Sequence, residues 1–446
     1  MALAGAVSST APTPPDLFVA YGPLASSGTA PGADTVQSFD TSGLAPLGSA
    51  PVGAQPIGEA VSPDGGTVYV LNSGTDSITP VSTLGAPASE ATIPLPAGYT
   101  PAAIAVTPDG QDAYVVGAAP TASSLQPALW QVTLTGKTPG TIARTVDLPS
   151  GSSPTGLALT PNGLEALVTD YSGGTVIPVN LSNGHVGTPI GVGLTPGSGS
   201  NPMGIGVSPN GKDAFVADSG DGSLSEISLS NNHVSVVPLE PGAWSPQNLA
   251  VSPDGSTVWV TEENSTAPGS SGFVVPVSLP SLSVEPPVTV GLAPNGVAIS
   301  PDGSTVYVAN ETDAAAGTNT NTGSISAVPT DGSAPTALDT NIDPAAVLVT
   351  PDEAPVASFT SATAPAGKYT AFDASASYSL TNGGLSYSWD FGDGSAVLTT
   401  ASPTVKHIYP LPGSYTVTLS VTDISGTSTE VVYTGQYVLN NGGPSA

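Results

Sequence analysis

A two-proline repeat occurs seven times and covers most of this chain. Each copy contains Ser/Thr-Pro-Asp/Asn-Gly or a close variant, and successive copies lie 44 to 53 residues apart. A second proline stands seven residues before each motif proline. The motif prolines are Pro63, Pro108, Pro161, Pro209, Pro253, Pro301 and Pro351, and the earlier ones are Pro56, Pro101, Pro154, Pro202, Pro246, Pro294 and Pro344. A period of this length indicates a chain built from repeated supersecondary units.

Each repeat predicts four short strands. A small and aliphatic run such as 102–106 leads into the Pro-Asp-Gly turn, in which proline presets φ and glycine supplies a positive φ. A second strand of β-branched and aromatic residues follows, for example TVYVAN at 305–310. Third and fourth strands, such as 222–229 and 234–239, complete the unit. Four antiparallel strands in about 45–50 residues are typical of a β-propeller blade.

The two ends of the repeat region complement each other. The last repeat contains only its first strand, at 345–349, whereas the chain begins with three strands at 17–21, 34–40 and 47–53. Pairing these ends would complete one blade and leave no open sheet edge. The sequence therefore predicts an all-β fold with a seven-bladed β-propeller whose ring is closed by N-terminal strands.

Two of the repeats carry a family signature. SPDGSTVYVAN at 300–310 and SPDGGTVYVLN at 62–72 resemble the YVTN repeat of surface-layer and lactonase-like propellers. The resemblance covers about residues 16–352 and implies the same propeller fold. Relatives of this kind include surface-layer proteins, lactonases and ligand-binding modules, so the resemblance leaves the function open.

A different pattern begins at Ala354. The sequences YSWDFGDGS at 387–395 and HIYPLPGSYTVTLSVTD at 407–423 resemble the polycystic-kidney-disease (PKD) domain. The resemblance implies an Ig-like β-sandwich of the kind that acts as a spacer or adhesive module on secreted proteins. Apolar side chains alternate with period two, which predicts a buried sandwich face formed by Trp389, Phe391, Tyr415, Val417, Leu419 and Val421.

These patterns divide the chain into four segments. We expect a flexible N-terminal segment at 1–15, the propeller at 16–353, the PKD domain at 354–440 and a tail at 441–446. The first segment is rich in small residues, like the start of a mature secreted protein behind an added Met, and it has no basic region of a signal peptide. The predicted location is secreted or at the cell surface.

The charge balance limits the partners of the chain. It has 34 acidic and only five basic residues, which gives a net charge of −29. Nucleic acids and anionic membranes need Lys and Arg to replace counterions, so neither is an expected partner. No run of about 18 apolar residues predicts membrane insertion, and the absence of Cys excludes disulfides and thiolate chemistry. An extracellular protein or a polysaccharide remains a candidate partner, and the oligomeric state stays open.

The loops at one mouth of the propeller channel form the candidate site, because convergent loops usually carry function. The loops before the innermost strands place Glu59, Thr155, Met203, Gln247, Asn248 and Asn295 there. The loops after the second strands add Asn72, Asp170, Tyr171, Asp218, Glu262, Glu263, Asn310 and Glu311. Such oxygen-rich groups suit Ca²⁺ or Mg²⁺. Three interpretations stay open, namely a solvated rim whose acids bond loop amides, a bound cation and a catalytic carboxylate.

Asp390 and Asp393 in the PKD signature also leave two interpretations open, since they can bond turn amides or bind Ca²⁺. The sequence identifies no definite cofactor, and Ca²⁺ is a candidate. No histidine is predicted at the channel mouth. His185 and His233 fall in turns on the opposite face of the propeller, and His407 lies in the PKD domain. No Ser–His–Asp arrangement or phosphate-binding loop is present.

Three functions remain in competition. The first is an extracellular or cell-surface binding, adhesive or structural protein without catalytic activity. The second is a metal-dependent hydrolase or lactonase at the acidic mouth, although the sole arginine, Arg144, falls in an outer strand and a phosphosugar needs cations. The third is a polysaccharide-binding accessory protein, for which Trp130, Tyr171 and Trp244 are the candidate platforms unless they pack between blades.

Overall fold

The computed structural model describes residues 16–21, 34–41, 43–83, 86–118, 126–136, 138–194, 199–239, 244–264, 271–311, 323–340, 343–351, 357, 359–362, 364–375, 377, 385–422 and 428–437. The chain divides into two compact units, one of which is Asp16–Pro351 while the other contains Asp352–Ala446. The predicted flexible segment at 1–15 and tail at 441–446 lie outside the described residues. Within these ranges the regular elements are strands, and no membrane-spanning helix occurs there.

The strands of the first unit follow the repeat. They are β1 (Asp16–Tyr21), β2 (Thr35–Asp40), β3 (Pro46–Pro51), β4 (Pro56–Val61), β5 (Thr67–Asn72), β6 (Ser77–Ser82), β7 (Ala88–Ser89), β8 (Ile93–Pro94), β9 (Thr100–Val106), β10 (Asp112–Ala118), β11 (Ala128–Thr133), β12 (Thr141–Asp147), β13 (Pro154–Leu159), β14 (Glu165–Asp170), β15 (Thr175–Asn180), β16 (His185–Val186), β17 (Ile190–Gly191), β18 (Pro202–Val207), β19 (Asp213–Asp218), β20 (Ser223–Ser228), β21 (His233–Pro238), β22 (Trp244–Val251), β23 (Thr257–Asn264), β24 (Ser271–Ser278), β25 (Ser283–Val284), β26 (Val288–Leu292), β27 (Pro294–Ile299), β28 (Thr305–Asn310), β29 (Ser324–Pro329), β30 (Thr336–Asp339) and β31 (Pro344–Val349).

These strands form seven antiparallel sheets in the described part of the unit. Six sheets follow chain order and begin at β4, β9, β13, β18, β22 and β27. The first strand of each sheet packs against the first strand of the next, and β31 joins β27 to β4, so these inner strands form a closed ring. The all-β propeller fold predicted from the repeat is therefore confirmed.

The Ser/Thr-Pro-Asp/Asn-Gly motif forms a compact turn between the first two strands of a sheet. The Asp64 carboxylate accepts hydrogen bonds from the Ser62 hydroxyl and from the Gly66 amide at 3.0 Å. The Ser62 hydroxyl oxygen in turn accepts from the Thr67 amide at 2.9 Å. In the next turn, a Cβ added at Gly110 would lie 3.3 Å from Pro63. The motif thus closes its own hairpin and packs against the neighbouring one.

A ring of valines fills the space between the sheets. The second strand of every sheet has a valine with 0% exposure at the equivalent position, namely Val19, Val70, Val115, Val168, Val216, Val260 and Val308. Each valine pairs with a residue of the innermost strand, in the order Val347, Glu59, Ile104, Leu157, Ile205, Leu249 and Val297. Burial of these aliphatic pairs stabilises each blade against the next. Glu59 is the exception in the series.

The N-terminal strands complete the last sheet, whose strand order is β3-β2-β1-β31. Strand β1 pairs antiparallel with β31, so that Leu17 faces Val349 and Val19 faces Val347. Two further hydrogen bonds join Asp16 and Thr350, from the Asp16 amide to the Thr350 hydroxyl at 2.9 Å and from the Thr350 amide to the Asp16 carbonyl at 3.0 Å. This pairing closes the ring as the terminal strands predict.

The second unit contains two antiparallel sheets. Its strands are β32 (Thr360–Ala362), β33 (Tyr369–Asp373), β34 (Ser386–Asp390), β35 (Leu398–Thr400), β36 (Thr404–Ile408), β37 (Ser414–Thr422) and β38 (Ser428–Tyr437). One sheet has the order β32-β33-β36 and the other β35-β34-β37-β38. Trp389, Phe391, Val417, Leu419 and Val421 are buried in one core, as the period-two pattern predicts.

Candidate functional site

The seven innermost strands surround a cavity of about 530 Å³ along the channel. All of them contribute residues to its wall, and most are small or aliphatic. The polar side chains belong to Glu59, Thr155, Gln247, Asn248 and Asn295, while Met203 adds a thioether. No Lys, Arg or His occurs among the residues that line this cavity. The wall is therefore suited to hydrogen bonding and carries no positive charge for an anionic ligand.

The structure divides the predicted mouth residues into two groups. Glu59 and Gln247 line the channel cavity, together with the other residues predicted before the innermost strands. The residues predicted after the second strands are not part of this lining. They are Asn72, Asp170, Tyr171, Asp218, Glu262, Glu263, Asn310 and Glu311. Asn72, Asp170, Asp218 and Asn310 are buried where their strands end, and Glu262 is buried within β23.

Two of the buried residues are asparagines with the same role. The Asn72 Nδ2 donates to the carbonyls of Val70 and Ser77 at 3.1 and 3.2 Å and to the Thr79 hydroxyl at 3.0 Å. Asn310 repeats this pattern, with its Nδ2 donating to the Ser324 carbonyl at 3.2 Å and the Ser326 hydroxyl at 3.0 Å. These amides hold the hairpins between the second and third strands, which explains their burial.

Asp218 occupies the same position in its blade as the two asparagines. Its Oδ2 accepts from the Ser225 hydroxyl at 2.6 Å and the Ser223 hydroxyl at 3.3 Å, while its buried Oδ1 has no hydrogen-bond partner among the described residues. Burial raises the pKa of Asp218 to about 8, although the serine hydrogen bonds oppose the shift. This shift favours the protonated form of Asp218 at neutral pH.

Asp170 takes a different role at the equivalent position. Its Oδ1 accepts from the amides of Ser153 and Gly173 at 2.8 and 3.1 Å and from the Ser172 hydroxyl at 3.1 Å. The next residue, Tyr171, is 39% exposed. Asp170 thus bonds loop amides, while the Tyr171 ring remains accessible to a ligand.

Glu311 lies one residue beyond its second strand and bonds to the channel lining. Its Oε1 accepts from the Nδ2 of Asn295 at 2.9 Å. Burial raises the pKa of Glu311, and the hydrogen bond from Asn295 opposes that shift. The channel amide of Asn295 is therefore held by an acid outside the channel lining.

Glu59 is an acidic residue of the channel wall whose carboxyl group is buried. The residue as a whole is half-buried, yet both carboxylate oxygens are buried and have no hydrogen-bond partner among the described residues. Burial raises the pKa of Glu59 well above its usual range. Only its stem is accessible, because the carboxyl group lies within the wall. Alignment of the seven repeats could have singled out Glu59, since six of them have an aliphatic residue there.

The PKD signature turn holds its acids by internal bonds. The Asp390 Oδ1 accepts from the Gly392 amide at 2.9 Å, and the Asp393 Oδ1 accepts from the Ser395 amide at 3.0 Å. The Asp393 Oδ2 lies 2.8 Å from the Nε2 of His407. Burial by itself would raise the pKa of Asp393, but the bonds from Ser395 and His407 lower it to about 2. Both acids therefore stabilise the turn.

Two predictions about ligands can be compared with these positions. The described residues contain no group of three or more acidic, His or Cys side chains that could hold a metal ion, so Ca²⁺ stays a prediction. Trp130 is 1% exposed and packs edge-on against Tyr99 at 4.9 Å, so its interpretation as a binding platform is wrong. Trp244 packs against Phe273, with ring centroids 4.6 Å apart.

The second unit matches a known domain family. Residues 352–436 match the PKD domain family. A stretch of 49 residues is 47% identical to human polycystin-1, and it spans 11% of this chain and 1% of polycystin-1. In the propeller, residues 205–350 match the family model described as the Choice-of-anchor I domain. The PKD resemblance is thus confirmed, whereas the specific YVTN assignment stays a prediction.

Solved structures similar to this chain support the propeller fold. A functionally unknown protein from Desulfotomaculum acetoxidans has a TM-score of 0.57 at 18% identity and covers 76% of this chain and 99% of its own. A provisionally assigned 6-phosphogluconolactonase from Bacteroides uniformis has the same TM-score and identity, covering 75% of this chain and 99% of its own. At such identities the likeness shows the fold alone.

Proposed function

We propose that this protein is an extracellular or cell-surface binding, adhesive or structural protein without catalytic activity. The observation that carries the proposal is the PKD domain at residues 352–436 in the same chain as a propeller. Domains of this type favour an adhesive or spacer role outside the cell. The name of the Choice-of-anchor I domain, which matches residues 205–350, also favours attachment to a surface.

The channel chemistry supports a binding role for the propeller. Hydroxyl and amide groups provide its hydrogen-bonding capacity, and the Glu59 carboxyl group lies within the wall. Asn295 is fixed by Glu311 at 2.9 Å and the Thr155 hydroxyl bonds to the Pro202 carbonyl at 2.9 Å, so these groups are positioned in advance. A rigid polar wall of this kind suits a neutral ligand or a loop of a partner protein.

The lactonase alternative rests on the fold shared with the Bacteroides protein. A phosphosugar requires positive charge, and the propeller contains only Lys137, Arg144 and Lys212 as basic residues. Arg144 lies on the outer strand β12 and donates to the Leu181 carbonyl at 2.7 Å. The small number of basic residues and the outer position of Arg144 favour binding over phosphosugar hydrolysis.

The polysaccharide alternative depends on accessible aromatic rings. Tyr171 is the exposed candidate, and Trp244 with Phe273 forms a packed aromatic pair on another blade. A glycan-binding surface at the mouth would therefore use Tyr171. Replacing it with alanine should abolish binding to insoluble polysaccharides in a sedimentation assay, if this alternative is correct.

Protease treatment of intact source cells tests the proposed location. We expect external protease to digest the full-length chain while a cytoplasmic marker protein survives. Resistance of the chain until the cells are lysed would contradict a surface or secreted location.

A hydrolysis assay tests the absence of activity. The purified chain should hydrolyse 6-phosphogluconolactone and gluconolactone no faster than buffer does. A rate that scales with protein concentration and falls in a Gln247→Ala/Asn248→Ala variant would instead support the lactonase alternative.

A further inference from the structure

The ring is closed by a single strand, and both ends of that strand carry a buried acidic environment. Strand β1 pairs with β31, whose residues lie more than three hundred positions later in the sequence. Its first residue is Asp16 and its last is Tyr21. No covalent bond joins the ends of the ring, because the chain contains no Cys. Closure therefore depends on the hydrogen bonds and side chains of β1.

At the first end, two carboxyl groups face each other. Asp16 is 6% exposed and pairs directly with Asp40 on β2, so both side chains lie on the same face of the sheet. The Asp16 Oδ1 is buried without a hydrogen-bond partner among the described residues. Like charges directly opposite each other destabilise a strand pair. Ionisation of Asp16 would therefore weaken the pairing of β1 with β2.

At the other end, Tyr21 lies at the seam to the next blade, where β1 contacts β4, the strand that carries Glu59. Tyr21 is 3% exposed, and its buried hydroxyl has no partner among the described residues. Burial raises the pKa of Tyr21, and the charge of Glu59 on β4 adds to that shift. A carboxylate would here replace the aliphatic side chain that the other six repeats place between blades. A neutral carboxyl group is tolerated at such a position far better than a charged one.

The strands that pack around the two acids contain no positively charged side chain. Asp16 lies between β2, which carries Asp40, and β31, which has no titratable side chain. Strand β4, which carries Glu59, packs against β1, β5, β9 and β31, whose titratable groups are Asp16, Tyr21 and Tyr69. None of these strands contains Lys, Arg or His. These strands therefore offer no cation that could compensate an ionised Asp16 or Glu59, and the two acids lose their charge only by taking up a proton from solvent.

We propose that β1 is a proton-operated latch, in which protonated Asp16 and Glu59 hold the closing strand in the ring and their ionisation loosens it. The latch is favoured at acid pH and weakened as the pH rises. Loosening would expose the edges of β2 and β31 while the other six sheets stay paired.

The direction of the pKa shifts agrees with this geometry. Burial, with a smaller contribution from Asp40, raises the pKa of Asp16 to about 7, and burial raises that of Glu59. Below the unfolded value of about 4 both acids are neutral in either state. As the pH rises, the unfolded chain ionises first, so the latch loses stability up to the folded pKa values. The loss for Asp16 is complete somewhat above pH 7.

Hydrogen exchange of the full chain tests the latch. Protection factors, corrected for intrinsic exchange, should fall at least tenfold in β1 and β31 between pH 5 and pH 8. Those of β11, which has no titratable side chain, should change much less. An Asp16→Asn/Glu59→Gln variant should show no such fall, because neither replacement ionises. Asp147→Asn is the matched control, since it removes an exposed charge on β12 and should leave the wild-type pH dependence intact.

Two outcomes would overturn the latch. One is equal protection of β1 and β31 at both pH values in the wild-type chain. The other is a fall that persists in the double variant. If the double variant does not fold, Asp16→Asn and Glu59→Gln tested singly should each reduce the pH-dependent fall, and failure of both to do so overturns the proposal.

Discussion

At the scale of single residues, the repeat provides its own substitution series. Asn72, Asn310 and Asp218 occupy equivalent strand ends and approach equivalent hydroxyl groups. The asparagines donate to backbone carbonyls, and a carboxylate cannot donate. Asp218 instead accepts from two serine hydroxyls and leaves its buried Oδ1 without a partner among the described residues. Burial at this position raises its pKa to about 8.

Asp218→Asn should stabilise the propeller at alkaline pH. The neutral amide avoids the cost of ionising a buried acid, so the unfolding free energy at pH 9 should rise by on the order of 1–3 kcal/mol. Below pH 4 the gain should vanish, because Asp218 is protonated in both the folded and unfolded states. Urea unfolding at a series of pH values measures this difference.

Asp170→Asn serves as the comparison for that variant. Asp170 is also buried, but two backbone amides donate to its Oδ1, so a neutral replacement weakens these bonds and should give no gain at pH 9. Equal stabilisation by both variants would show that the gain comes from reduced overall negative charge.

At the scale of secondary-structure elements, the PKD turn depends on close backbone approach. Gly392 has a φ of +71°, and a Cβ there would collide with the Thr416 carbonyl oxygen on β37. Gly394 has a φ of +80°, yet a Cβ there would meet nothing within 4 Å. The two glycines therefore share a backbone requirement and differ in steric contact.

Gly392→Ala should destabilise the PKD unit by about 3 kcal/mol or more, because strain at positive φ and a steric clash with backbone add together. Gly394→Ala should cost only about 1 kcal/mol, since it has the strain alone. The melting temperature of the PKD transition measures both. Similar losses for the two variants would mean that β37 moves away without cost.

The contact between Asp393 in the PKD turn and His407 on β36 should be lost at acid pH. Asp393 has a pKa of about 2 in the fold, so its contribution is present above the unfolded value of about 4 and lost as the pH falls through 2. Asp393→Asn should lower the melting temperature of the PKD unit by a few degrees at pH 6 and by nothing at pH 1.5. Asp390→Asn, at a position without the His407 contact, should change it less at pH 6.

At the scale of the whole molecule, the two units should respond to pH in opposite ways. The propeller buries acids with raised pKa values at Asp16, Glu59 and Asp218. The PKD unit relies on an ionised Asp393. Calorimetry should show the propeller transition rising in temperature from pH 8 to pH 5, while the PKD transition stays constant until below pH 4. A propeller most stable at alkaline pH would contradict this reading of its buried acids.

The sequence alone determined much of the architecture, because the information was local or periodic. Turn motifs such as that around Pro63 fix a hairpin with short-range bonds, and period two in β37 fixes a buried face. The incomplete repeats at the two ends predicted ring closure by counting strands. The PKD signature likewise placed Trp389 and Phe391 in a core.

The tertiary structure decided which polar residues face the channel. The sequence predicts both Asp218 and Glu59 in loops at the channel mouth. In the structure Asp218 holds a hairpin, whereas the carboxyl group of Glu59 lies within the channel wall. The direction of a side chain at a strand end depends on packing against the neighbouring blade. For Glu59 that neighbour includes Tyr21 from the start of the chain and β31 from the end of the propeller, so no local pattern could reveal it.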